Sequence, residues 1–73
     1  MTTTQAINGI VLVKGQERYV FLFADADQHH VPRAAGRMAA NPEVSFTWYD
    51  AALVCGEAFR FAGGMTTIVR KDP

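Results

Sequence analysis

Four residues in one short stretch could hold a metal or move a proton. Asp25, Asp27, His29 and His30 fall close together in the 73-residue chain. Imidazole and carboxylate ligands suit zinc or a similar transition metal. Cys55, the single cysteine, could join them only through the fold. Adjacent histidines in an extended segment point to opposite sides, and no second ligand pair lies elsewhere. The stretch therefore reads as a solvated loop, or a first helical turn, whose aspartates cap a following helix and favour its positive end. No cofactor is expected, and zinc should bind weakly or not at all.

Cys55, with His29 or His30 and Asp50, also supplies the residue types of thiol catalysis. No nucleophile turn or oxyanion element accompanies them. A lone cysteine in an apolar stretch is more often a small core residue. The chain thus leans away from enzymes. A metal- or thiol-dependent site at Asp25, Asp27, His29, His30 and Cys55 is the third of three functional readings.

The second reading is a nucleic-acid module. His29, His30, Arg33 and Arg37 could form a basic patch, and Trp48 or Tyr49, if exposed, could stack on bases. Against this, seven basic and seven acidic side chains leave no net charge. Strong nucleic-acid binders carry a basic excess. Trp48 also alternates in phase with Val44 and Phe46, which places it with core residues.

The elements that must position these groups follow from the apolar pattern. Ile7 to Val13 reads as a strand. Gly15-Gln16 suits a type II′ hairpin turn. The most apolar stretch, Arg18 to Ala24, is then the second strand. This turn sets Lys14 opposite Glu17, Leu12 opposite Tyr19, Val11 opposite Val20 and Ile10 opposite Phe21. One face carries Ile10, Leu12, Tyr19, Phe21 and Phe23. The other carries Ile7, Val11, Val13, Val20 and Leu22. Because side chains alternate, a slip of one residue would exchange the faces of one strand.

Pro32 fits the first turn of a helix running to Ala40, and Asn41-Pro42 stops it. Val31, Ala35 and Met38 form its inner stripe, while Arg33 and Arg37 share an outer face. Val44 to Trp48 alternates and predicts a half-buried strand. Asp50 is a suitable N-cap for a second helix from Ala51 to about Phe61. Gly56 weakens that assignment, and two strands around Gly56-Glu57 are the alternative. Gly63-Gly64 stops the element, and Met65 to Arg70 reads as a last strand.

The order β-β-α-β-α-β implies one small α+β domain over residues 1–73, with 1–5 and 71–73 frayed. It would be a two-layer sandwich, with a mostly antiparallel sheet and two short helices on one face. A domain of this size is marginally stable alone. A single cysteine suits a reducing compartment, and neither a signal peptide nor a membrane-length apolar run is evident. A cytoplasmic protein that does not contact membranes is expected.

Two short helices would leave the second hairpin face in water. Val11, Val13, Val20 and Leu22 are therefore the candidate interface. The first functional reading is a non-enzymatic interaction and oligomerisation domain, with a second copy of itself and an unknown protein as its partners. A three-layer monomer with one helix on each face is the rival arrangement.

Overall fold

The computed structural model describes residues 7–60 and 64–70. The ends expected to fray, the last residue of the expected second helix and Gly63 lie outside that range. The chain forms β1 (Ile7–Lys14), β2 (Glu17–Ala24), a 3₁₀ helix (Asp25–His30), α1 (Val31–Ala39), α2 (Trp48–Arg60) and β3 (Met65–Arg70). The fold is α+β, with a three-stranded mixed sheet in the order β2-β1-β3.

The hairpin takes the register that its turn implies. Lys14 pairs with Glu17, Leu12 with Tyr19, Val11 with Val20 and Ile10 with Phe21. Gly15 has φ of 62°, and no non-glycine residue among those described has positive φ. That combination is what a type II′ turn requires, and glycine is the residue that tolerates its first central position.

The helices lie on one side of the sheet. Ile10, Leu12, Tyr19, Phe21 and Phe23 from the inner face form one core with Val31 and Ala35 of α1 and Ala51, Val54 and Ala58 of α2. Phe46, from the segment between the helices, fills the space above the hairpin. Its ring meets Tyr19 edge-on at 5.2 Å and Phe21 at 5.7 Å. Large residues on the sheet thus face mostly small ones on the helices, which lets the layers approach closely in the core. The three-layer arrangement does not occur.

Several expectations are corrected. Val44 to Trp48 is not a strand, so the sheet has three strands rather than four. The alternation there misleads: Phe46 is buried, but Trp48 opens α2 and is exposed. α2 starts earlier than Ala51 because Thr47, not Asp50, caps it. The Asp50 N–H donates to Thr47 Oγ1 at 3.1 Å, and the Thr47 N–H donates to Asp50 Oδ2 at 2.9 Å. This is the reciprocal capping box with aspartate as its acid. The helix passes through Gly56, so the hairpin alternative for this segment is not adopted.

The sheet is also not mostly antiparallel at its second seam. β3 runs parallel to β1, with Gly9 opposite Met65 and Val13 opposite Val69. β2 ends beside the start of β1, and the two helices return the chain to that same end, so β3 starts there too and runs parallel to β1. α1 begins at Val31, with Pro32 in its first turn. No aspartate side chain caps it or the 3₁₀ helix. Asp25 accepts instead from Asn8 Nδ2 at 2.6 Å.

Candidate functional site

Side-chain alternation on three strands builds one bare apolar surface. β1 places Ile7, Val11 and Val13 on the outer face, and β2 places Val20 and Leu22 there. The parallel register of β3 adds Met65 and Val69. Val20 is 52% exposed, Leu22 64%, Met65 62% and Val69 65%, while Val11 and Val13 are half-buried. Met65 lies across Gly9 toward Leu22. A Cβ on Gly9 would fall 2.2 Å from Met65 Sδ and 3.1 Å from Leu22 Cδ2. The patch is therefore continuous from β3 over β1 to β2. The expected quartet of Val11, Val13, Val20 and Leu22 is brought together. Met65 and Val69 were missed, because strand alternation was legible but the parallel pairing that places them was not.

A second feature lies beside it. The 3₁₀ helix turns the chain back so that α1 runs near the open edge of β2. Between them is a groove of about 420 Å³. Val20, Phe21, Leu22 and Phe23 line it from the strand, and Val31, Ala34 and Met38 line it from the helix, with Asp27 and His30 at one end, so it is continuous with the bare patch at Val20 and Leu22.

The third is a buried ionic cluster at the opposite end of the sheet. Asp50 is 0% exposed. Its Oδ2 accepts from Lys14 Nζ at 3.0 Å, and its Oδ1 accepts from Arg70 Nε at 2.5 Å. Lys14 also donates to the Ser45 carbonyl at 2.6 Å, and the Tyr49 ring covers the Arg70 guanidinium at 4.7 Å. Burial alone would raise the Asp50 pKa. The Thr47 N–H, Arg70 and Lys14 outweigh it and hold the carboxyl at about 2. A carboxylate so saturated with donors makes a poor proton acceptor near neutral pH. Its chemistry is that of a latch joining the ends of β1 and β3 to the start of α2.

The remaining candidates are spread out. His29 and His30 are exposed, with ring centroids 4.1 Å apart, and His30 Nε2 lies 4.0 Å from Asp27 Oδ1. Among the described residues, no three His, Cys, Asp or Glu side chains converge on one point. Cys55 packs half-buried against the core, and burial pushes its thiol pKa up, away from the reactive thiolate. Arg33 and Arg37 are exposed on α1. Trp48 and Tyr49 are exposed as well, so Trp48 leaves the core position expected of it. Among the described residues, no helix is long and apolar enough to cross a membrane.

No family model, curated protein or solved structure matches the chain.

Proposed function

We propose that this chain is a small non-enzymatic protein-interaction and oligomerisation domain that buries its outer sheet face against a second copy of itself. The bare patch of Val11, Val13, Val20 and Leu22, extended by Met65 and Val69, carries the reading. Both helices are spent on the other face, so nothing in the described chain covers it. Burying a side chain of this kind stabilises by roughly 1.5–3 kcal/mol. For a domain this small, several left in water are a substantial loss. Contiguous apolar patches of this type mark interfaces. A two-fold dimer, face against face, covers the patch with its own mate. A cytoplasmic setting, where Cys55 stays reduced, fits the composition.

Size exclusion with light scattering tests this. The expected mass is that of a dimer at tens of micromolar. Val20→Glu should halve it while far-ultraviolet circular dichroism is retained, since the charge would have to be buried unpaired in the interface. A wild-type monomer at that concentration, or a Val20→Glu dimer, defeats the reading.

One observation favours the nucleic-acid reading in second place. Trp48 is exposed and its ring edge lies 3.8 Å from where a Cβ on Gly36 would stand, one turn from Arg33. Arg33, Arg37, His29 and His30 would then bind phosphates beside an aromatic platform. Salt-dependent retention on heparin, lost in Arg33→Glu/Arg37→Glu, would support it. Elution at low salt without change in that variant would oppose it.

A further inference from the structure

The helical layer carries a second apolar surface, on the side of the molecule away from the bare sheet face. Gly36 of α1 stands against Trp48, where an added Cβ would lie 3.8 Å from the ring, and Gln28 donates to the Ala58 carbonyl. α1 and α2 therefore run side by side in opposite directions. Helical spacing puts Trp48, Ala52, Cys55 and Phe59 on the flank of α2 that faces α1. The other flank faces β3, where Tyr49 covers Arg70. Trp48 is 64% exposed and Phe59 60%, Ala52 is exposed, and Cys55 is half-buried. Pro32 and Gly36, both half-buried, complete the seam from the α1 side. From Trp48 to Phe59 it runs about 16 Å, or about three helical turns.

The border of this seam is basic. Arg33 and Arg37 are exposed along the outer ridge of α1, one turn apart. Among the described residues, neither has a carboxylate within ion-pair distance. The other described acids stand elsewhere. Glu17 accepts from Tyr19, Asp25 accepts from Asn8, and Asp27 lines the groove on the opposite flank of α1. Asp50 is buried, and Glu57 pairs with Arg60 at 3.7 Å on the flank of α2 turned from the seam. Glu43, in the connection between the helices, is the one acid toward the Trp48 end. Two arginines against one glutamate leave the border positive.

Backbone chemistry selects the shape of the occupant. Both walls are helices, and their N–H and C=O groups are bonded within each helix. An extended peptide laid in the seam would bury its own backbone groups without partners, whereas a helix satisfies its own.

We infer that the seam between α1 and α2 docks an amphipathic helix of another protein, with an apolar stripe about three turns long and acidic residues one turn apart along one flank. The stripe covers Trp48, Ala52, Cys55 and Phe59, and the acids meet Arg33 and Arg37. This is recognition of a helix by an apolar surface with charged borders. A second copy fits less well, because pairing two helical layers brings like charges together across the contact. Nucleic acid also fits less well. Two arginines on a chain of zero net charge supply little of the phosphate neutralisation that such binding needs. The site does not rest on the sheet-face dimer, which leaves the helical layers outermost.

The probe is an unlabelled peptide, Ala-Gln-Leu-Glu-Ala-Ala-Leu-Glu-Gln-Leu-Glu-Ala-Ala-Leu-Glu-Gln. Its leucines form the stripe and its glutamates form one flank. One control replaces every Glu by Lys, and another replaces the central Gln by Pro. Trp48 is the single tryptophan of the chain, so its emission reports on the seam directly. Titration with the Glu peptide should move that emission to shorter wavelength and saturate, with Kd below about 1 mM. The Lys and Pro peptides should bind more weakly by roughly 5-fold or more. Arg33→Glu/Arg37→Glu, at exposed positions, should keep its helical circular dichroism and prefer the Lys peptide to the Glu peptide. No saturation, equal affinity of the wild type for the Glu peptide and either control, or an unchanged preference in the folded variant would overturn the inference. So would an emission shift on concentrating the protein alone, which would mean that a second copy fills the seam. Displacement of the Glu peptide by oligothymidine, with the same emission shift, would assign the surface to nucleic acid instead. Val69→Glu separates this from the dimer reading. It lies on the opposite side of the sheet from the helices, so it should break a face-to-face dimer and leave peptide affinity unchanged.

Discussion

Asp50 concentrates the strongest polar demand in the molecule. It is buried, yet two cations and two groups of Thr47 satisfy it. Removing the carboxylate would leave Lys14 and Arg70 facing each other with no counter-charge. Both are partly exposed and can swing toward water, so Asp50→Ala should cost about 2–4 kcal/mol in urea unfolding rather than the full penalty of an orphaned buried pair. A loss below about 1 kcal/mol would show that the latch is incidental. The pH dependence follows from the same contacts. The folded pKa is about 2, below the ordinary value of 3.8. The unfolded chain therefore binds the proton more readily. The contribution is complete above about pH 5 and is lost as pH falls toward 2, a change of about 2 kcal/mol. Urea midpoints measured across that window should fall in the wild type and flatten in Asp50→Asn.

At the level of elements, what the sequence made legible depended on how local the cause was. The hairpin was readable because glycine at a two-residue turn fixes the register of both strands by itself. Buried Tyr19, Phe21 and Phe23 follow from it, and Phe21→Ala should cost roughly 3–5 kcal/mol because no small neighbour can refill the space beside Phe46. A loss under 1 kcal/mol would mean that the aromatic face is not the core. The stretch from Val44 to Asp50 was misread because two local signals overlap there. Val44, Phe46 and Trp48 alternate as in a strand, while Thr47 and Asp50 have the spacing of a capping box. The cap prevails because its two hydrogen bonds close together with the salt bridges of Asp50, which only the tertiary fold supplies. Thr47→Ala should thus cost about 1–2 kcal/mol, and Thr47→Ser much less, in thermal or urea unfolding. Equal losses for the two would place the effect in the methyl group instead. The parallel pairing of β3 was beyond sequence reading for a similar reason. No local residue records which side of β1 a returning strand will join, so Met65 and Val69 could not be assigned to the bare face.

For the whole molecule, the balance between inner and outer sheet faces sets the expectation. The inner face is filled by two helices and Phe46, and the outer face is as apolar as many interiors but open. If a second copy covers it, folding and association are one equilibrium. Stability then depends on protein concentration, which a monomer's does not. For two chains of this length unfolding together, each tenfold dilution should lower the midpoint of thermal unfolding by roughly 5 °C. Calorimetry or circular dichroism over a hundredfold range of concentration would read this directly. Val69→Glu removes the apolar contact at the β3 side of the patch while leaving the inner core untouched. It should lower the midpoint at high concentration and abolish the dependence on dilution. A wild-type midpoint that does not move with concentration would show that the bare face is stable in water as it stands, and the oligomerisation reading would fall with it.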